Sequence, residues 1–284
     1  MSLNTVVLHG DDLAYERHEG TGTPLLLVHG VGSSTATWSD LIVRLRDAGR
    51  TVVAVDLLGH GESGHGNGDF SLGSNASRLR DLLDHLGIDR VHLVGHSLGG
   101  GVAMQFQYQF PQRVQSMTLI SSGGLGAEVS LGLRAASLPG SEVVFRMISS
   151  ERGLTWVQRA TRGLVATGGM TAGMADKTIA KLRRLRDDRR RKAFLATVRS
   201  VVGPQGQLVR ATDRFGAVRD PSTVLIIWGD ADATVPMSHG VQAHELLPGS
   251  RFVAVPGAGH HPHVDAPDLV GESILRHVLA VESV

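Results

Sequence analysis

Short continuous apolar runs alternate with segments whose apolar positions recur every three or four residues, and this alternation organises most of the chain. Pro24–Val28, Thr51–Val55 and Arg90–Val94 are runs of strand length. Trp38–Leu45 and Leu79–Leu86, between them, carry helical spacing. Runs apolar at every position, separated by helices, predict a parallel sheet covered on both faces. Upstream, Thr5–Leu8 and Ala14–Glu19 flank Gly10-Asp11-Asp12, which predicts a hairpin turning there. Downstream, Gly99–Phe110 predicts a helix stopped by Pro111, and Ser116–Ser121 a further strand. Thr223–Trp228, Ser238–Leu247, Arg251–Val255 and Leu269–Val281 then repeat strand, helix, strand, helix. The fold class is α/β.

The rhythm breaks between residues 126 and 214. No strand run stands out there, and Leu131–Ser137, Glu142–Ile148, Leu154–Leu164 and Ala175–Phe194 all have helical spacing. This segment holds 17 Lys and Arg against 7 Asp and Glu, a net of +10, while the remainder holds 11 against 20, a net of −9. The expected organisation is a core of residues 1–125 and 215–284 interrupted by a helical lid, 126–214. Its most basic stretch, Thr178–Lys192, reads as a solvated helix face with pairs such as Arg184/Asp188, or as an electrostatic collar for anionic partners. Opposite charge on lid and body could steer substrate or favour a homodimer.

Composition narrows the function classes. The 284 residues carry 28 basic and 27 acidic side chains, so the chain as a whole is no nucleic-acid binder. No run reaches the ~20 apolar residues of an integral membrane segment. The first dozen residues lack the pattern of a secretory signal. The absence of cysteine excludes disulfides, thiolate metal sites and a cysteine nucleophile. A cytoplasmic protein is the expectation.

Gly95-His96-Ser97-Leu98-Gly99 follows one of the apolar runs and opens a helix. A serine on so sharp a strand-to-helix turn needs small neighbours two residues to either side, here Gly95 and Gly99. The Leu98 amide, at the helix N-terminus, would face a developing oxyanion. A serine also needs a base and an orienting acid. Gly257-Ala258-Gly259-His260 follows the last strand and Trp228-Gly229-Asp230-Ala231-Asp232 the one before it. Reacting groups of parallel sheets collect at such carboxyl ends. Triads of these three residue types occur in several chain orders, of which Ser97, Asp232, His260 is one. Asp230 is an alternative acid, although its place directly after Gly229 favours a turn role and leaves Asp232 preferred. His260, His261, His263 and Asp265 could suggest a metal site, but adjacent loop histidines converge poorly on one ion. No metal is expected, and His261 and His263 are assigned to the pocket mouth. His29-Gly30-Val31-Gly32 leaves an earlier strand, so the Val31 amide is the candidate second oxyanion donor, His29 a structural side chain and Asp56–Ser63 scaffold.

These motifs together, HGVGSSTATW, DLLGHGES, GHSLGG, WGDADATVP and GAGH, resemble the α/β-hydrolase fold family, in the branch of small esterases, cofactor-free haloperoxidases and carbon–carbon bond hydrolases. The resemblance spans about 195 residues around the lid, whose own sequence matches no motif of the family. It implies a mostly parallel eight-stranded sheet with helices on both faces and a helical lid. It further implies Ser97 as nucleophile, His260 as base, Asp232 as acid, Val31 and Leu98 as oxyanion donors, and no cofactor. Epoxide- and halide-processing relatives carry aspartate where this chain has Ser97. Carbon–carbon hydrolases place an aromatic residue after the histidine, where His261 stands here; lid arginines such as Arg134 or Arg146 could still hold an acidic substrate. Relatives with the acid after an earlier strand have a carboxylate where Ser121-Ser122-Gly123-Gly124 has none. The leading expectation is a serine esterase acting on small-molecule esters or acyl-chain substrates. The alternatives are a ring-cleavage diketone hydrolase, a thioesterase or acyltransferase, and a non-catalytic receptor.

Overall fold

A computed structural model describes residues 3–66, 68–167, 172–218 and 220–283. In chain order the first half comprises β1 (Asn4–Leu8), β2 (Asp11–His18), β3 (Thr21–Val28), α1 (Ser39–Asp47), β4 (Arg50–Val55), α2 (Leu72–His85), β5 (Val91–His96), α3 (Leu98–Gln109) and β6 (Val114–Ile120). Five helices follow: α4 (Leu131–Ser137), α5 (Ser141–Ser149), α6 (Glu151–Ala166), α7 (Ala172–Arg184) and α8 (Asp188–Val201). A two-stranded hairpin, β7 (Val202–Gly203) and β8 (Gly206–Gln207), precedes β9 (Val224–Gly229), α9 (Ser238–Leu246), β10 (Arg251–Val255), α10 (Pro262–Asp265) and α11 (Pro267–Glu282).

The main sheet has eight strands in the order β1-β2-β4-β3-β5-β6-β9-β10, parallel throughout except where β2 joins β1 and β4. Alternation along each buried strand feeds two cores. Leu26, Val28, Val53, Val55 and Leu93 face the side covered by α2 and α3. Leu25, Leu27, Val52, Ala54 and Val94 face the side covered by α1 and α11. This is why these runs are apolar at every position: both faces of the strand lie out of water. The register brings the carboxyl ends level, with Val28 beside Val55 and Gly95, His96 beside Ile120, Ile120 beside Ile227, and Gly229 beside Val255.

Local details depart from the sequence expectations. The first hairpin turns at His9-Gly10, not at Gly10-Asp11-Asp12, because a two-residue turn with positive φ at both positions (55° and 82°) suits the strand twist, and Asp11 and Asp12 already pair with Leu8 and Val7. Helix α2 begins at Leu72, well before Leu79, since Ser71 caps it by accepting from the Ser74 amide, and Leu72, Asn75, Ala76 and Leu79 extend the buried stripe. The stretch Ala175–Phe194 is not one helix. Asp187 caps a new one by accepting from the Arg190 amide, and Asp188 then pairs with Arg191 rather than Arg184. The segment also contains strands, the short β7–β8 hairpin, which held no apolar run to announce it. Its helices close over a small core of their own that includes Leu185, Phe194, Leu195 and Val198. Among the described residues no helix is long and apolar enough to cross a membrane.

Three buried histidines couple the fold to pH. Burial lowers the pKa of His29 to about 4, of His60 to about 3 and of His277 to about 4, from an ordinary 6.5. Unfolding returns each to its ordinary value, so the stability they contribute is full above pH 6.5 and is lost as pH falls toward those lowered values. Each contributes up to about 1.4 kcal/mol per pH unit across that window. Thermal melts should show Tm falling between about pH 7 and about pH 5, above the range where carboxylates alone titrate; a flat profile over that span contradicts the assignment.

Candidate active site

The site begins with backbone geometry. Ser97 adopts φ 53° and ψ −115°, a conformation L-residues rarely take, between β5 and α3. A side chain on Gly95 would lie 2.3 Å from the Gly99 carbonyl oxygen, and one on Gly99 would lie 2.0 Å from that of Val28, so neither position admits a Cβ. The turn is pinned by the Ser97 amide donating to Ile120 and by its carbonyl accepting from Gly100 and Gly123.

Two loops bring the partners. The Trp228 indole donates to the Val235 carbonyl (3.1 Å) and folds the loop carrying Asp232 back on itself. The Ala231 amide donates to Ala258 (3.0 Å), tying that loop to the one carrying His260. His260 Nδ1 lies 2.8 Å from Asp232 Oδ2, and His260 Nε2 lies 3.0 Å from Ser97 Oγ. A carboxylate only accepts, so Nδ1 carries the proton and Nε2 is left to accept from the serine hydroxyl. Burial works against the charge of Asp232, but the His260 hydrogen bond and the Val235 and Thr234 amides outweigh it and hold its pKa below the ordinary carboxylate value. Asp230 faces elsewhere, accepting from the Gly257 amide at 2.7 Å, and is the strap between the loops.

Among the described residues, the amides of Val31 and Leu98 donate to no protein acceptor, and both residues line the cavity of about 50 Å³ beside Ser97. The rest of that wall is apolar, including Val129, Leu133, Val198 and Val235, with Gln207 the one polar side chain besides Ser97 among the described residues. Neither Arg134 nor Arg146 reaches it: Arg134 donates to the Pro204 carbonyl, and Arg146 is exposed. A wider trough of about 520 Å³ adjoins it, sharing Leu72, Gly101, Gly124 and Val209, and continues along α3 past Met104 to Tyr108.

His263 is not at the pocket mouth. It is buried, its ring 4.4 Å from Trp38 and 4.5 Å from His96, with Nε2 3.1 Å from Thr37 Oγ1. His261 is half-buried against the rings of His96 and His260. Among the described residues no group of histidine, aspartate or glutamate could hold a metal ion. The side chain that sequence reasoning passed over is His96, which donates from Nε2 to the His260 carbonyl at 2.7 Å and so fixes the backbone of that loop. Burial, joined by the nearby His263, His261 and His260, holds its pKa well below that of free histidine and keeps it neutral. Its place beside Ser97 was the available signal. His29 bonds Gly30 and the Leu57 amide, while Asp56 accepts from Thr35 and Glu62, so both are scaffold.

Comparison with known proteins agrees with this architecture. Residues 23–267 match the family model described as alpha/beta hydrolase fold. An uncharacterized protein of Mycobacterium tuberculosis is 40% identical over 92% of this chain and 76% of its own length. The 2-hydroxy-6-oxo-6-phenylhexa-2,4-dienoate hydrolase of Burkholderia cepacia is 26% identical over 87% of this chain and 85% of its own. A thermophilic esterase from Thermogutta terrifontis superposes with a TM-score of 0.70 at 24% identity, covering 99% of each chain. The chain belongs to the α/β-hydrolase fold family.

The choice between the two aspartates is open to a direct check. A downfield proton resonance from His260 Nδ1–H should be present in the native protein and in Asp230→Asn, and absent in Asp232→Asn. Loss in Asp230→Asn with retention in Asp232→Asn would reverse the assignment.

Proposed function

We propose that the protein is a serine hydrolase that cleaves carboxylic esters through an acyl-enzyme on Ser97. The observation that carries this reading is the hydrogen-bonded chain Ser97–His260–Asp232 opening onto an apolar cavity. Ser97 Oγ attacks the ester carbonyl as His260 Nε2 takes its proton, and Asp232 holds the imidazole in that tautomer and stabilises its charged form. The Val31 and Leu98 amides receive the oxyanion, an interaction whose loss typically costs ~3–4 kcal/mol. His260 then returns the proton to the departing alkoxide. A water molecule, deprotonated by the same histidine, attacks the acyl-enzyme and releases the acid, restoring Ser97.

The helices between β6 and β9 are assigned the role of a lid. Lys181 on α7 donates to the Val31 carbonyl at 3.2 Å, so the lid touches the loop whose amide faces the oxyanion. Apolar lining favours acyl groups of fatty character. A chain longer than the small cavity would run into the trough along α3, whose twelve residues span roughly 18 Å at the helical rise.

A second reading, hydrolysis of a carbon–carbon bond, is favoured by the Burkholderia relative. Among the described residues no cationic side chain lines the wall at Ser97, which weighs against an acidic diketone there.

With p-nitrophenyl esters from acetate to palmitate, Ser97→Ala should lower turnover by roughly 10⁶-fold and Asp232→Asn by about 10⁴-fold. Undiminished turnover in Ser97→Ala would refute the reading, and diketone cleavage with silence on every ester would favour the second. Gly101 is helical, and a Cβ there would meet Leu72 at an ordinary 3.4 Å, so a side chain fits the helix but fills the passage to the trough. Gly101→Leu should therefore shift the chain-length optimum toward short acyl groups; an unchanged profile removes the trough from the substrate path.

A further inference from the structure

The hairpin of helices α5 and α6, joined through Ser150, exposes large apolar side chains that the body of the protein does not cover. Trp156 is 75% exposed, Met147 65%, Val143 60% and Val144 55%. On α5, residues 143, 144 and 147 lie within one turn of one another, and on α6 Trp156 is flanked at helical spacing by Arg152 and Arg159. Exposed apolar side chains gathered on one hairpin mark an interaction surface rather than ordinary solvated helix.

Charge identifies the partner. Arg146, Arg152, Arg159 and Arg162 are exposed, and among the described residues none has an acidic partner. The two acidic residues of the hairpin are engaged elsewhere, Glu142 with Arg199 and Glu151 with Arg186. The hairpin thus carries an exposed tryptophan and aliphatic side chains together with four unneutralised guanidinium groups. A second copy meeting this hairpin through its own hairpin would bring like charges together. An anionic bilayer surface matches both features, since tryptophan settles at the lipid headgroup level and basic side chains meet the lipid phosphates.

We propose that the α5–α6 hairpin docks this protein on anionic membrane surfaces, with Trp156, Val143 and Met147 entering the headgroup layer and the arginines holding it there. The contact is peripheral, as the hairpin lies on the membrane without crossing it. It would bring a lipid phase to the segment whose helices α4 and α8 line the cavity at Ser97 through Leu133 and Val198.

The tryptophans provide the readout. Trp38 and Trp228 are 0% exposed, so a vesicle-induced change in emission reports on Trp156. Full-length protein should show a blue shift and co-sediment with phosphatidylcholine vesicles containing phosphatidylglycerol, with binding that weakens as salt rises and is absent from pure phosphatidylcholine. Arg152→Glu with Arg159→Glu, which keeps the fluorophore, should lower partitioning by at least about tenfold, because each cation near an anionic bilayer contributes on the order of fivefold. Trp156→Ser should reduce co-sedimentation, and unchanged far-ultraviolet circular dichroism confirms that both variants are folded. No shift and no co-sedimentation with anionic vesicles would overturn the proposal. So would equal binding to both lipid compositions, or sedimentation as a dimer whose Trp156 emission is already blue-shifted without lipid.

Discussion

The backbone of Ser97 is the constraint on which the rest of the site depends. Holding a non-glycine residue at φ 53° and ψ −115° costs on the order of 1–3 kcal/mol. The conformation persists because its neighbours over-determine it. Ile120 and Gly123 fix both faces of its peptide groups, while the missing side chains of Gly95 and Gly99 let α3 approach β3 and β5 to backbone distance. The level carboxyl ends of the parallel strands bring the Asp232 and His260 loops to the same edge. Ties between those loops, through Ala231 to Ala258 and Asp230 to Gly257, convert two flexible connections into one holder for the imidazole.

Much of this was legible in the sequence, because the signals were local. Continuous apolar runs located the buried strands and a sheet covered on both faces, and the fold then sorts their alternate side chains between two cores. The strand–Gly–x–Ser–x–Gly–helix pattern marked the turn, and glycines beside aspartate and histidine marked the two partner loops. Asp232 could be preferred over Asp230 only weakly, since both stand on the same loop two residues apart. Their difference lies in which atom each carboxylate meets across 28 and 27 residues of chain.

What stayed hidden depended on cancelling local signals or on distant contacts. The periodicity from α7 into α8 runs on through the break, so only the capping geometry of Asp187 reveals two helices. The hairpin turn at His9 needs a positive φ from a residue that seldom adopts it. From the sequence His263 reads as a residue of the pocket mouth, yet Trp38 and His96, far apart in sequence, close over it. The same packing gives His96 its hold on the His260 carbonyl. The basic character of residues 126–214 was visible from composition alone, whereas which arginines lack partners required the fold.

Peptide mapping by mass spectrometry after brief exposure to a fluorophosphonate tests the central claim most directly, since the reagent needs an activated serine and no particular substrate. The account predicts one phosphonyl group per chain, carried by the peptide containing Ser97, formed much more slowly in Asp232→Asn. An unmodified chain, or modification at a different serine, would contradict it.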